Sequence, residues 1–102
     1  MTLLIKKPVK PGEIVTIKLV SGEEVIARLD QEVSGVLKLH RPMMLSYTPQ
    51  GVGMTPWMIT AEEDNVVEIE KDKWVMAMSL TGKRTADQYI EGTTGIKTVR
   101  MP

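Results

Sequence analysis

The sequence contains no cysteine and no phenylalanine, only one histidine, and no net charge. Without cysteine the chain cannot form a disulfide, a thiol nucleophile or a cysteine-ligated zinc site, and this composition is consistent with a reducing compartment. The 13 basic residues balance 13 acidic residues. The overall charge therefore does not attract nucleic acid or an anionic membrane, and any basic binding surface has to be local.

Long apolar segments are also absent. No stretch approaches the ~20 apolar residues that cross a bilayer. The first residues, MTLLIKKPVKPGE, do not have the order of a secretory signal, because the lysines follow the short apolar run. We therefore expect a soluble cytoplasmic protein with no membrane partner. A length of 102 residues fits one domain, which we place over residues 1–102.

Residues 14–39 alternate between apolar and polar side chains, as strands with one buried face do. Ser21-Gly22 and Ser34-Gly35 supply tight turns between three strands. Ile26 interrupts the polar outer face, and Pro42, which cannot donate a ladder hydrogen bond, predicts a bulge, a strand end or an edge. The positions predicted to point inward are Val15, Ile17 and Leu19, then Val25, Ala27 and Leu29, then Leu37 and Leu39.

The second half of the chain is less regular. Two prolines and two glycines in TPQGVGMTPW (48–57) predict a loop, followed by a strand through WMIT (57–60). AEEDN (61–65) predicts an acidic turn. VVEIEKDKWVMAMSL (66–80) predicts a last strand region, with a bulge or short turn at its polar centre and Trp74, Met76 and Met78 on one face. KRTADQYIE predicts a short helix with Thr85 as N-cap and Gly92 as its end, before an irregular tail.

Five short strands joined in order would leave too many unpaired edges in an open sheet of this size. Strong twist and closure into a small barrel remove most of those edges. We therefore predict an all-β fold, a small five-stranded and strongly bent antiparallel barrel over about residues 12–80, followed by a short helix and tail over 83–102. If the barrel stays partly open, pairing between identical chains generates a ring or a filament.

The stretch LVSGEEVIARL (19–29) resembles the first motif of Sm and Sm-like proteins. Leu19, Gly22, Val25 and Leu29 match that motif, while Ala27 stands where the family prefers a glycine that lets the second strand bend. KLVSGEEVIARL, TPQGVGMTPWM and ADQYIEGTTGI also make the chain similar to small Sm-like proteins of marine cyanobacterial phages. The resemblance implies an Sm-like (SH3-like) barrel, a homo-oligomeric ring, binding of nucleic acid and, for a phage protein, the host cytoplasm.

The residues with which Sm proteins read a base are not all present. The family places an aspartate, and after three further residues an asparagine, between strands two and three. Asp30 is close to that position, but no asparagine follows. Ile69-Glu70-Lys71 stands where the second motif has Ile-Arg-Gly, so an acid replaces the arginine that stacks on the base. Nucleic acid would therefore bind through a different surface.

Lys38, His40 and Arg41 are the predicted phosphate contacts, because they lie within four residues and Lys38 and His40 share a strand face. Tyr47 and Trp57 flank the Gly/Pro loop and are the predicted stacking residues, since stacking on an aromatic ring contributes about 1–3 kcal/mol per base. The sequence leaves structural roles open for each of them, as an exposed strand histidine or as core and interface aromatics. In a ring, local basic clusters repeat around the axis and give salt-dependent binding.

No catalytic or metal site is predicted. One histidine without spaced carboxylates does not form a typical metal site or a Ser-His-Asp set. Adjacent acids such as Glu23-Glu24 face opposite sides of a strand. We therefore expect no enzyme, no cofactor and no metal. The leading hypothesis is a ring of five to seven subunits that binds single-stranded RNA or DNA, and the alternative is a structural or protein-interaction ring without nucleic acid.

Methionine is frequent, with eight residues in the chain. Its flexible thioether side chain fills irregular gaps in cores and also forms adaptable interfaces. The sequence leaves both roles open, core filling or a contribution to a subunit contact, for Met43, Met44, Met54, Met58, Met76 and Met78.

Overall fold

A computed structural model describes residues 9–62, 64 and 66–93 of the chain. Its elements, in chain order, are β1 (Ile14–Leu19), β2 (Glu24–Val33), β3 (Val36–Thr48), β4 (Gly51–Pro56), β5 (Val66–Glu70), α1 (Lys71–Trp74), β6 (Val75–Leu80) and α2 (Lys83–Thr93). The strands form one antiparallel sheet in the order β4-β3-β2-β1-β6, and β5 also pairs with β3. The predicted all-β class with a short C-terminal helix is confirmed. The predicted tail lies, from residue 94 onward, outside the described residues.

Both predicted turns among the first three strands are present. Gly22 has a φ of +103°, and Ser34 and Gly35 have φ values of +51° and +80°. Two successive positive φ values are those of a type I′ turn, whose twist matches the twist of the flanking strands. The turn at Ser34-Gly35 therefore fixes how β2 and β3 pair.

The described sheet has six strands, not the five predicted. Gly51–Pro56 was expected to lie in a loop, but it forms β4 and pairs with the second half of β3. β4 lies at the edge of the sheet, where proline is tolerated because one side of the strand needs no ladder partner. The predicted strand over residues 57–60 is also wrong, since these residues form a bend and a turn.

β3 contains a bulge at Arg41-Pro42, which is one of the three alternatives that the proline predicted. Ile26 pairs with Met43 and Arg28 pairs with His40, so two residues of β3 lie opposite one residue of β2. Arg41 has a positive φ of 52°. A bulge bends its strand and increases the local twist. On the edge of β3 away from β2, the segment before the bulge pairs with β5 and the segment after it pairs with β4.

The polar EKDK segment leads into a single helical turn, α1, between β5 and β6. Backbone hydrogen bonds hold both ends of this turn: the Lys71 N–H donates to the Gly35 carbonyl at 2.8 Å, and the Val20 N–H donates to the Trp74 carbonyl at 2.9 Å. Since β5 pairs with β3 and β6 pairs with β1, α1 carries the chain from one side of the bent sheet to the other. Within the described residues no ladder joins β5 to β6.

The main core lies inside the bend of the sheet. All eight residues predicted to point inward are buried there, together with Ile69. Strict alternation along β1, β2 and β3 therefore places one face of each strand in the core. Partly buried side chains complete the cluster, namely Val9, Trp57, Val67, Val75 and Met78.

A second apolar cluster lies on the outer face of the sheet, under α2. Ile26 and Tyr89 are almost completely buried in it beside Ile14, which explains why Ile26 interrupts the polar outer face. The helix begins earlier than predicted, because the Gly82 carbonyl already accepts the Ala86 N–H at 2.8 Å, so Thr85 is inside the helix and is not its N-cap. No helix in the described part of the chain is long and apolar enough to cross a membrane.

The methionines divide between core and surface. Met43 and Met54 pack against the second cluster and Met78 against the first, whereas Met58 and Met76 are exposed. The prediction that Met76 and Met78 share a face with Trp74 is wrong. The ladder between β1 and β6 shifts register beside Met76, and this irregularity turns Met76 outward while Met78 contacts the core.

Candidate functional site

The five residues predicted to contact nucleic acid lie on three separate surfaces. Lys38, His40 and Arg41 lie on β3 up to its bulge, and we call them the basic cluster. Tyr47 lies near the end of the same strand and lines a different groove. Trp57 follows β4 and lines an apolar pocket. The fold therefore keeps the three predicted phosphate contacts together but separates them from both predicted stacking residues.

Every cation of the basic cluster has a carboxylate nearby. The Arg41 guanidinium donates two hydrogen bonds to one Asp64 oxygen, at 3.1 Å from Nε and 2.5 Å from Nη2. His40 Nε2 lies 3.8 Å from the same oxygen, and Lys38 Nζ lies 3.9 Å from Glu68. A phosphate at this cluster would compete with these acids for the same cations.

Arg41 also joins the bulge to the end of α2. Its Nη1 donates to the Thr93 carbonyl, where a cation complements the negative end of the helix dipole. The Tyr89 hydroxyl lies 2.8 Å from the carbonyls of both His40 and Arg41. The Arg41 side chain therefore has a structural role, and its role as a phosphate contact stays a prediction.

Two pKa values in this region are shifted in opposite directions, and the causes differ. The Arg41 hydrogen bond, and then the Arg41 charge, lower the pKa of the Asp64 carboxyl, with a smaller contribution from His40. Burial raises the pKa of the Tyr89 hydroxyl above its ordinary value. At neutral pH Asp64 is therefore ionised and Tyr89 is neutral, so the contacts that hold the bulge are formed.

Tyr47 lies in an open groove of about 430 Å³, which we call the Tyr47 groove. Its ring is 91% exposed and sits opposite Val52 in the β3–β4 hairpin. Lys18 of β1 lines the same groove and forms no ion pair with any described residue. Hydroxyl groups from four residues add polar contacts, those of Thr16, Ser46, Thr81 and Thr85. The groove thus combines an aromatic face, a free ammonium group and several hydroxyls.

Lys18 was not singled out from the sequence. The available signal was its outward position in β1, where Thr16 and Lys18 form a polar stripe opposite the core face. Its proximity to Tyr47 depends on how β3 and β4 extend beside β2, and the sequence predicted a loop in place of β4. The acids Glu23 and Glu24 also line the groove, so one lysine faces two carboxylates there, and these carboxylates oppose the binding of a phosphate.

Trp57 packs against the main core and lines a second cavity, of about 300 Å³, which we call the tryptophan pocket. The backbone N–H of Trp57 donates to the Pro42 carbonyl at 3.0 Å, and this bond fixes the start of the segment after β4. Trp57 does not line the Tyr47 groove, so the two predicted stacking residues do not face one ligand within one subunit. The stacking role of Trp57 stays a prediction.

Several of the other charged groups in the described ranges form ion pairs along the surface. Lys83 Nζ lies 3.0 Å from Asp87, and Lys71 Nζ lies 3.1 Å from Glu32. No group of three or more His, Asp or Glu side chains in the described part of the chain is arranged to hold a metal ion. The N-terminal Lys6-Lys7 pair lies outside the described residues.

Similarity to known proteins does not add to these observations. The resemblance to Sm and Sm-like proteins stays a prediction, and the function has to be argued from the sheet and from the three surfaces described above. No model of a known protein family matches this chain, and no curated protein matches it.

Proposed function

We propose that the protein is an Sm-like, ring-forming module that binds single-stranded RNA or DNA through the Tyr47 groove. The observation that carries the proposal is the presence of Lys18 and the exposed Tyr47 ring in one groove. An exposed ring offers a stacking surface for a base, and an ammonium group that forms no ion pair with any described carboxylate is available to a phosphate. The proposal includes no catalytic step, cofactor or metal.

Unpaired strand edges support the assembly of a ring. In the described sheet β5 pairs with β3 and β6 pairs with β1, and neither has a second ladder. Large apolar side chains on these two edge strands are exposed, 41% at Val66 in β5 and 62% at Met76 in β6. Pairing of β5 in one chain with β6 in the next would satisfy both edges and bury these side chains. Around a ring of five to seven subunits, Lys18 repeats once per chain and offers a series of phosphate contacts, with Glu23 and Glu24 beside each of them.

Oligonucleotide titrations test the binding step. Labelled single-stranded RNA and DNA should bind the assembled protein at about 50 mM salt and bind more weakly at about 200 mM, because phosphate contacts release counterions. Tyr47→Ala should weaken binding by about 1–3 kcal/mol if one base stacks on the ring. Failure of the assembled protein to bind either oligonucleotide at low salt would overturn the proposal.

A matched pair of lysine variants locates the interface. Lys18→Gln and Lys38→Gln remove the same charge, but Lys18 lies in the Tyr47 groove and Lys38 lies beside Glu68 in the basic cluster. The proposal predicts a larger loss of affinity, and a larger decrease in salt dependence, for Lys18→Gln. A larger loss for Lys38→Gln would place the nucleic acid on the basic cluster instead.

Light scattering tests the ring independently of its ligand. The proposal predicts a mass of five to seven subunits at micromolar concentration. Met76→Glu should reduce that mass, because it places a charge at the exposed edge of β6. A single subunit at micromolar concentration would contradict the ring.

A structural or protein-interaction ring without nucleic acid is the second candidate. It is favoured by the carboxylates that face the basic cluster and by Glu23 and Glu24 in the Tyr47 groove. Pull-downs from lysate with and without nuclease separate the two functions. Protein partners that persist after nuclease treatment, together with absent oligonucleotide binding, would support this candidate.

A further inference from the structure

The tryptophan pocket has a composition that the proposed function does not use. Both tryptophans of the chain, Trp57 and Trp74, line this one cavity. Leu19 and Ile69, which are 4% and 8% exposed, supply buried apolar surface inside it. Ser21 and Glu23 are the polar residues among those that line it. Since Trp74 is 52% exposed, the pocket is open to a partner from solvent.

Several backbone contacts hold the pocket in shape. The backbone N–H of Val20 donates to the Trp74 carbonyl, and the backbone N–H of Trp57 donates to the Pro42 carbonyl. In the turn between β1 and β2, the Leu19 N–H donates to the Glu23 carbonyl at 2.9 Å, and the Ser21 hydroxyl donates to Glu23 Oε1. The two indoles and the carboxylate are therefore positioned by β1, by α1 and by the bulge of β3.

The chemistry of the pocket selects a cation with an apolar stem. Indole faces attract cations through the ring quadrupole, tryptophan most strongly of all side chains. Glu23 forms no ion pair with any described cation, so its charge is available to a ligand. The same charge repels a phosphate. A cavity of about 300 Å³ has room for about ten water molecules, and so for one long side chain.

We infer that the tryptophan pocket binds a lysine or arginine side chain of a protein partner, with its alkyl stem against Leu19 and Ile69 and its charged group between the indoles and Glu23. This inference concerns a different cavity from the proposed nucleic-acid binding, because Trp57, Trp74 and the apolar lining do not line the Tyr47 groove, and Glu23 is the one lining residue that the two cavities share.

Intrinsic tryptophan emission reports the pocket directly, since the chain has no tryptophan elsewhere. We would titrate the full chain with the Nα-acetyl amides of lysine, arginine and norleucine at matched ionic strength, and follow emission and the two indole N–H signals by NMR. The lysine and arginine amides should give saturable changes with dissociation constants of about 1 mM or above, equivalent to about 4 kcal/mol or less. The norleucine amide, which has a similar stem without the charge, should give none.

Two variants and one control localise the effect. Glu23→Gln should weaken binding by about fivefold, because it leaves the indoles but removes the charge. Glu23 also lines the Tyr47 groove, so a second variant is needed that changes only the tryptophan pocket. In Trp74→Leu, the NMR signal of the Trp57 indole N–H should no longer show a saturable shift with the cationic amides. Glu24→Gln is the matched control, since Glu24 does not line the pocket, and it should bind like the wild type. Thermal unfolding confirms that each variant is folded.

Four results would overturn the inference. An equal response to the norleucine amide would mean that the pocket takes any apolar group. Unchanged affinity in Glu23→Gln would remove the role of the charge. Emission that changes on dilution of the protein alone would show that a second copy of the chain covers the pocket. Indole shifts caused by single-stranded RNA, without shifts from the cationic amides, would assign the pocket to nucleic acid.

Discussion

Tyr89→Phe is the sharpest test of how the fold is held together. The substitution removes one hydroxyl group and leaves the ring in place beside Ile14 and Ile26. That hydroxyl lies 2.8 Å from two carbonyls at the bulge of β3, those of His40 and Arg41. Because the hydroxyl has one proton, it donates to one of these two carbonyls at a time.

The magnitude follows from the burial of the group. Tyr89 is only 1% exposed, so water does not readily replace the hydroxyl. A net hydrogen bond contributes about 1 kcal/mol, and a buried acceptor left without a partner costs about 1–3 kcal/mol. We therefore expect Tyr89→Phe to lower the free energy of unfolding by about 1–2 kcal/mol. For a domain of this size each kcal/mol corresponds to about 4–8 °C in Tm.

Urea and thermal unfolding, monitored by circular dichroism at one protein concentration, measure this loss. Tyr47→Phe is the matched control, because Tyr47 is the other tyrosine of the chain and is 91% exposed. Its effect should stay within about 0.5 kcal/mol. Equal effects of the two substitutions, or no effect of Tyr89→Phe, would refute the assignment of the hydroxyl to the bulge.

Three further predictions use the same unfolding assay. Gly35→Ala should cost about 1–2 kcal/mol because of the positive φ of 80°, whereas Gly92→Ala should be neutral or stabilise by up to about 1 kcal/mol, since it lies in α2 and an added Cβ meets no atom. Asp64→Asn should flatten the loss of stability below pH 3.8, because Arg41 lowers the pKa of Asp64 and the ionised pair is lost as the pH falls; an unchanged acid profile would contradict this pairing. Above pH 10.0 the wild type should lose stability, since the unfolded tyrosine ionises first, and Tyr89→Phe should lose less.

The first three strands could be predicted from the sequence because each has one buried face and one outer face. In such strands every second side chain is buried, so the apolar positions of the alternating pattern predict which residues lie in the core, Ile17 and Leu39 among them. The turn at Ser34-Gly35 was also predictable, since a short type I′ turn requires residues that tolerate positive φ.

β4 could not be predicted because its sequence does not alternate between buried apolar and exposed polar residues. All of its side chains are exposed or half-buried, and its glycines and proline favour a loop. The strand exists because the second half of β3 offers an unpaired ladder from Met43 to Thr48. Such a long-range partner leaves no periodic signal in the edge strand that it stabilises.

The residues that surround the candidate site could not be predicted from the sequence either. Lys38, His40 and Arg41 could be grouped because they are neighbours in the chain. Asp64 and Glu68, which face them, come from distant segments, and only the pairing of β3 with β5 brings these acids close. The same reason explains the tryptophan pocket, which joins Trp57 after β4 to Trp74 at the end of α1.

The bulge of β3 links these surfaces because its backbone makes tertiary contacts on both sides. On one side the carbonyls of His40 and Arg41 accept from Tyr89 in α2. On the other side the Pro42 carbonyl accepts from the Trp57 N–H. The Pro42–Trp57 hydrogen bond continues the register of the β3–β4 ladder, in which Met43 pairs with Pro56. At the bulge, by contrast, the carbonyls of His40 and Arg41 lie close to the hydroxyl of a side chain in α2. The bulge therefore supports the helix-covered face, and a substitution that straightens it should weaken the contacts of Tyr89 with β3.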